Sequence, residues 1–175
     1  MPVKGNNFIN KLILLFVFDK MEIPLSSATI EEVCSQENDW ISFMDCKDTL
    51  SHLLGDQFVY ELSSGGQKPF YSITPKGRVC LADFYVNIPK SLREDIVGFV
   101  RSNRVKYRKK QEYIADYYMN KDGTYTVFLK IIELAGAQLE LKLTVPTRQI
   151  AKNIYKKWPD KAEVLFANIY DTLVD

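Results

Sequence analysis

Tyr71-Ser72-Ile73-Thr74-Pro75-Lys76-Gly77-Arg78 is the stretch whose reading decides the fold. Its first residues close a run, Lys68 to Ile73, rich in aromatic and β-branched side chains; a second such run, Phe58 to Ser63, precedes it. Ser64-Gly65-Gly66-Gln67 lies between the two, and its glycines can supply the positive φ that a hairpin loop needs. Thr74 offers a hydroxyl to the free N–H groups of a helix. Pro75 suits the first helical position, where no N–H is required. The stretch therefore predicts a hairpin running into a capped helix, which Val79, Leu81, Ala82, Phe84 and Tyr85 continue to about Asn87.

Working outward toward the N-terminus, three helical segments precede the hairpin. Asn6 or Asn7 caps a first helix to about Met21, whose Phe8, Ile9, Leu12, Ile13, Leu15, Phe16 and Phe18 cover more than one face. Such a helix is buried nearly all round, as a central core element and a subunit contact. After Pro24, Ser27 or Thr29 caps a short helix through Ile30, Val33 and Cys34, with Glu31 and Glu32 in its first turn, where the dipole favours carboxylates. A third helix starts at Asn38-Asp39 and turns Trp40, Phe43, Met44, Leu50, Leu53 and Leu54 inward. Three helices, a β-ribbon and a capped helix form a winged helix-turn-helix over residues 1–88, with the third helix in the reading position.

The second half, residues 89–175, reads as a smaller α+β domain of one helix, a three-stranded antiparallel meander and two helices. Ser91 and Glu94 have the capping-box spacing and open a helix with Leu92, Ile96, Phe99 and Val100 inward. Strand-like runs follow at Tyr113 to Met119, Tyr125 to Leu134 and Leu139 to Val145, joined by turns at Asn120-Lys121-Asp122-Gly123 and Ala135-Gly136-Ala137. In the last run Leu139, Leu141, Leu143 and Val145 alternate with Glu140, Lys142 and Thr144, the mark of a sheet with one buried face. Thr147 caps a helix with Ile150, Ile154 and Trp158; Pro159 breaks it, and a last helix carries Ala162, Leu165, Phe166, Ile169 and Leu173.

Tyr71-x-Ile73-Thr74-x-x-Gly77 resembles the wing-to-helix junction of many bacterial winged-helix transcriptional regulators. The whole chain is similar to an uncharacterised bacterial family with an N-terminal winged helix and a small α/β C-terminal domain. The segments that carry this are Asn10 to Leu14 with Ile23-Pro24-Leu25, Trp40 to Asp45, Tyr71 to Gly77, Ile88 to Ser91 and Asp116-Tyr117-Tyr118. The resemblance implies the fold and brings no established activity with it.

Charge qualifies the expected function. Of the 175 residues, 1–88 hold 7 Lys+Arg against 11 Asp+Glu, a net −4, and 89–175 hold 16 against 11, a net +5. A polyanion is met more favourably by the second half. As a DNA-binding module, the first half would lay its third helix in the major groove of double-stranded DNA and set the hairpin against the backbone. The residues placed to do this are Asp45, Lys47, Asp48, Ser51, His52, Gln67, Lys68, Lys76 and Arg78. Asp45 and Asp48 oppose phosphate binding, although Asp45 can accept from a cytosine amino group. A second phosphate-contacting group is the run Arg101, Arg104, Lys106, Arg108, Lys109, Lys110, six cations in ten residues. Its bland reading is a solvated helix end and strand edge, and Lys152, Lys156 and Lys157 read as a wet helix face.

The expected role is thus a non-enzymatic, cytoplasmic, homodimeric DNA-binding transcriptional regulator. The alternative is a protein–protein interaction module that uses the same helix. Tyr113, Tyr117, Tyr118 and Tyr125 can line an effector pocket, but cross-strand aromatics more often pack a sheet. No nucleophile–base pair, phosphate loop or paired-carboxylate spacing occurs, and His52 is the only histidine. Cys34, Cys46 and Cys80 form no CxxC, which points to reduced thiols and to no metal site or cofactor. Leu12 to Phe18 is the longest apolar run, far short of the roughly 20 residues that cross a bilayer.

Overall fold

The computed structural model describes residues 7–63, 68–133 and 136–174. The chain is α+β and divides into two compact units, Met1–Val105 and Lys106–Asp175. The division falls inside a helix rather than at the Pro89 punctuation.

The first unit is built around α1 (Asn7–Met21), in which Leu12 to Phe18 and Met21 are all buried. Each such side chain contributes about 1.5–3 kcal/mol of transfer free energy. The Asn6 cap and the Ser64-Gly65-Gly66-Gln67 loop lie outside the described residues. A two-residue strand, β1 (Leu25–Ser26), follows and leads into α2 (Ser27–Glu31), which continues as a π turn over Glu32–Glu37.

The cap of α2 differs from expectation. Ser26, not Ser27 or Thr29, accepts the Thr29 N–H at 3.2 Å. Glu31 and Glu32 therefore stand at the end of α2 and not in its first turn.

The third helix also starts later than expected. α3 spans Phe43–Gly55 with Ser42 as its cap, accepting the Asp45 N–H at 3.2 Å. Asp39 adopts a left-handed φ of 51°, which ends the preceding turn instead of opening a helix. Trp40 and Ile41 are buried in the connection. Phe43 and Met44, expected inside, are 42% and 66% exposed; Cys46, Thr49, Leu50 and Leu53 form the inner face. Moving the helix start by four residues changes the set of positions that can face the core.

β2 (Val59–Leu62) and β3 (Phe70–Ile73) pair antiparallel, and β1 pairs with β3, so the sheet order is β1-β3-β2. α4 (Pro75–Phe84) starts as the sequence predicts: Thr74 Oγ1 accepts the Gly77 N–H at 3.0 Å and donates to the Gln57 carbonyl at 2.8 Å. A short 3₁₀ turn, Tyr85–Asn87, closes it. α5 (Lys90–Glu112) begins directly after Pro89, so Ser91 lies within the first turn and is not the cap. Ile96 and Val100 face inward, and Trp40 packs edge-on against Phe99 while its indole N–H donates to Asp95 at 2.7 Å.

The second unit takes up the end of α5 and carries the meander β4 (Tyr113–Met119), β5 (Tyr125–Glu133), β6 (Gly136–Val145), in the order β4-β5-β6. The turn after β4 holds Gly123 at φ 83°, as its Asp-Gly pair predicts. Ala135 of the second turn lies outside the described residues. One helix, α6 (Arg148–Val174), then replaces the two expected: Pro159 sits within it. Proline removes one intrahelical bond and crowds the previous turn at a cost of about 3 kcal/mol. Trp158 and Ala162, one turn apart and both buried against Val127, Leu129 and Ile131, supply packing on either side of that weak point.

Candidate nucleic-acid interface

The outward face of α3 consists of two rows at four-residue spacing: Phe43, Lys47, Ser51 and Met44, Asp48, His52, all exposed. Ser42 and Asp45 set where the helix begins and hence which rows point out. Ser42 caps the N-terminus, and its hydroxyl also donates to Asp45 Oδ2 at 2.7 Å. Asp45, expected on the reading face, is therefore half-buried and engaged in the cap. A carboxylate in the first turn satisfies the Ser42 hydroxyl and complements the helix dipole, which draws Asp45 toward the cap.

The cations around α3 and α4 are largely occupied. Lys47 Nζ lies 3.8 Å from Glu31 and 4.6 Å from the centroid of the Phe43 ring. Lys76 donates to the Asp56 carbonyl at 2.8 Å and lies over the Phe58 ring, so it closes the end of α3. Arg78 is ion-paired with Asp19, and Lys11 binds Asp56 at 2.7 Å. His52 Nδ1 stands 3.5 Å from the Asn7 amide. Lys68 is exposed at the start of the run leading into β3, while Gln67 lies outside the described residues. Lys47, Asp48, Ser51, His52 and Lys68 thus keep the exposure expected of them. Arg78 and Lys76 are drawn into contacts that hold α4 to its neighbours.

The basic run on α5 divides between the units. In the first, Arg101 is exposed and Arg104 is bound to Glu22 at 2.6 Å. In the second, Arg108 donates to Glu112 at 3.1 Å, which pushes its guanidinium pKa still higher. Lys106 and Lys110 lie 5.3 and 6.0 Å from the Tyr107 ring centroid, and Lys109 is half-buried. Pairing with Glu22 and Glu112 offsets part of the positive charge of this run, and Glu22 is 82 residues from the arginine it binds. No local signal announces such a partner.

The tyrosines separate by strand face. Tyr113, Tyr117 and Tyr125 pack against the core of the second unit, and Tyr117 meets Tyr155 edge-on at 5.7 Å. Tyr118 points to the other face and is 55% exposed. Cys34 and Cys46 are buried free thiols, and contact with Cys46 together with burial pushes the Cys34 thiol well up. Cys34 is therefore not activated as a nucleophile. Among the described residues no group of three or more His, Cys, Asp or Glu side chains converges, and no helix is long and apolar enough to cross a membrane.

Residues 10–173 match the model of a family described as a domain of unknown function, DUF4364. The chain belongs to that family. No curated protein matches this DUF4364 chain, and no solved structure does. What sequence reasoning missed in the DUF4364 chain is the acidic set Asp19, Glu22 and Glu31, which pairs with Arg78, Arg104 and Lys47. It also missed the exposed pair Phe43 and Met44. Helical periodicity was the available signal for that pair, but only with the helix start placed at Ser42.

Proposed function

We propose that the first unit is a winged helix-turn-helix, with α3 as its recognition helix and the β2–β3 ribbon as its wing, and that the chain is a DNA-binding transcriptional regulator. The element order α1-β1-α2-α3-β2-β3 and the sheet order β1-β3-β2 support the fold. The observation that carries the function is the α3 surface: Lys47, Ser51 and His52 are exposed on a helix whose opposite side holds the core. Ser51 and His52 can address base edges, and Lys47 and Lys68 the backbone. Lys47 leaves a long, half-exposed contact with Glu31 at little cost, since such pairs are worth at most about 1 kcal/mol.

The protein is proposed to act as a homodimer. Apart from Phe8, which is 45% exposed, the large apolar residues of α1 are covered within the chain and leave no broad face for a second subunit. The end of α6, with exposed Leu165, Tyr170, Leu173 and Val174, is the better seat for one. A gel shift on genomic fragments across a salt series, with size measured by light scattering, tests both parts. Binding that weakens steeply with salt supports the reading, because contacts to phosphate release counterions. No binding at low salt, or affinity indifferent to salt, rejects it.

The exposure of Phe43 and Met44 beside Asp48 favours a second reading, in which α3 docks on a protein partner. A partner that protects these residues and is not displaced by DNA would establish it.

A further inference from the structure

In the first unit a groove of about 550 Å³ is lined by residues of α1, the 3₁₀ turn and α5. Its charge runs against its surroundings. The first unit, residues 1–105, holds 11 Lys+Arg against 13 Asp+Glu, a net −2. Yet Lys20, Lys90, Arg93 and Arg101 line the groove against one carboxylate, Glu94.

That positive charge is only partly committed elsewhere. Lys90 and Glu94 are 3.7 Å apart and both well exposed, a weak pair. Lys20 touches Asp19 at 3.0 Å and lies over Phe16. Arg93 donates its Nε–H to the Ile88 carbonyl at 3.1 Å and lies over the Tyr85 ring at 5.0 Å. Those two contacts fix its plane and leave its terminal nitrogens without an acceptor among the described residues. Arg101 has no hydrogen-bond or ion-pair partner among them.

Helix geometry orders the set. At 100° per residue, Lys90, Glu94, Val97 and Arg101 fall in a stripe roughly 60° wide and about 16 Å long. Gly98 borders the stripe, and a Cβ there would meet nothing within 4 Å, so the floor of the groove is bare beside Val97.

We propose that this groove binds a small-molecule polyphosphate, an extended anion with two or more phosphoryl groups. Arg93 and Arg101 supply forked donors, and Lys20 and Lys90 supply point charges. Four cations against one carboxylate leave the groove a net +3, which one monoanion would not match. The proposal does not rest on DNA binding by α3, and it stands or falls separately.

Isothermal titration of the full chain with inorganic tripolyphosphate is the test. One-to-one binding is expected, weakened about tenfold or more by Arg101→Ala, since a charge-assisted contact is lost. Gly98→Gln and Gly98→Glu both raise helix propensity, so both variants fold. The glutamate should abolish binding, and the glutamine should weaken it less. Absence of binding in the wild-type chain overturns the proposal, as does equal affinity across wild type, Arg101→Ala and Gly98→Glu. Displacement of tripolyphosphate by duplex DNA, with Arg101→Ala weakening both ligands alike, would make the groove a backbone-phosphate contact and also overturn it.

Discussion

Gly77 lies so close to the Phe58 carbonyl that a Cβ on it would overlap that oxygen, and it would stand 2.9 Å from Ile73 Cγ1. The same carbonyl accepts the Thr74 N–H at 3.0 Å. The first turn of α4 is thus pressed against the chain entering β2, and only glycine fits. Gly77→Ala gains about 1 kcal/mol in helix propensity and loses more to overpacking. With overpacking typically costing about 1–3 kcal/mol, a net loss of up to about 2 kcal/mol is expected in chemical denaturation. An unchanged midpoint would show that the contact relaxes freely.

Asp45 separates stability from recognition. Its carboxylate accepts from the Ser42 hydroxyl while its N–H donates to the same oxygen. Asp45→Ala should cost about 0.5–2 kcal/mol, in the range of lost helix caps. If α3 reads DNA, the change should leave DNA affinity intact or raise it, because a carboxylate near phosphate is removed. A fall in affinity with the fold intact would return Asp45 to the reading face.

Lys47→Ala and Lys68→Ala report on the proposed interface. Each should reduce the slope of log affinity against log salt by about one, and the two effects should add, because in the proposed complex α3 and the ribbon would touch different phosphates. Ser51→Ala and His52→Ala should change the preferred sequence with little change in slope. Wild-type slopes in both lysine variants would remove α3 and the ribbon from the interface.

Acid should loosen the junction of α1 with the end of α3. The hydrogen bond and then the charge of Lys11 hold the Asp56 carboxyl below its ordinary value. A depressed folded-state pKa adds stability that is present above the unfolded value, about 3.9, and is lost as pH falls through the folded value. Asp56→Asn should therefore be less stable than wild type at pH 7, with the difference closing in strong acid. Paired urea titrations at the two pH values measure it, and a difference independent of pH would assign the effect to something other than this ion pair.

Local chemistry was legible where neighbouring residues settle it. Thr74-Pro75 with Gly77 announces a capped helix because cap, ring and N–H lie within one turn of chain. The alternation in β6 announces which face packs, because its period is that of the backbone itself: Leu139, Leu141 and Val145 lie against the core, although Leu143 is 42% exposed. β1 was illegible, since two residues make a strand only by pairing with Phe70 and Tyr71.

By itself the sequence determined the α+β class, the central place of α1, the ribbon leading into a capped helix, and the Lys47, Ser51 and His52 face of α3. Tertiary structure alone decided that α3 starts at Phe43, that Pro159 lies inside α6, and that Arg78, Arg104 and Lys47 meet Asp19, Glu22 and Glu31. It also brought Lys20, Lys90, Arg93 and Arg101 to one groove. Caps and periodicities act over a few residues and are written where they operate. Ion pairs and packing act through space, and the chain carries no mark of them until it folds.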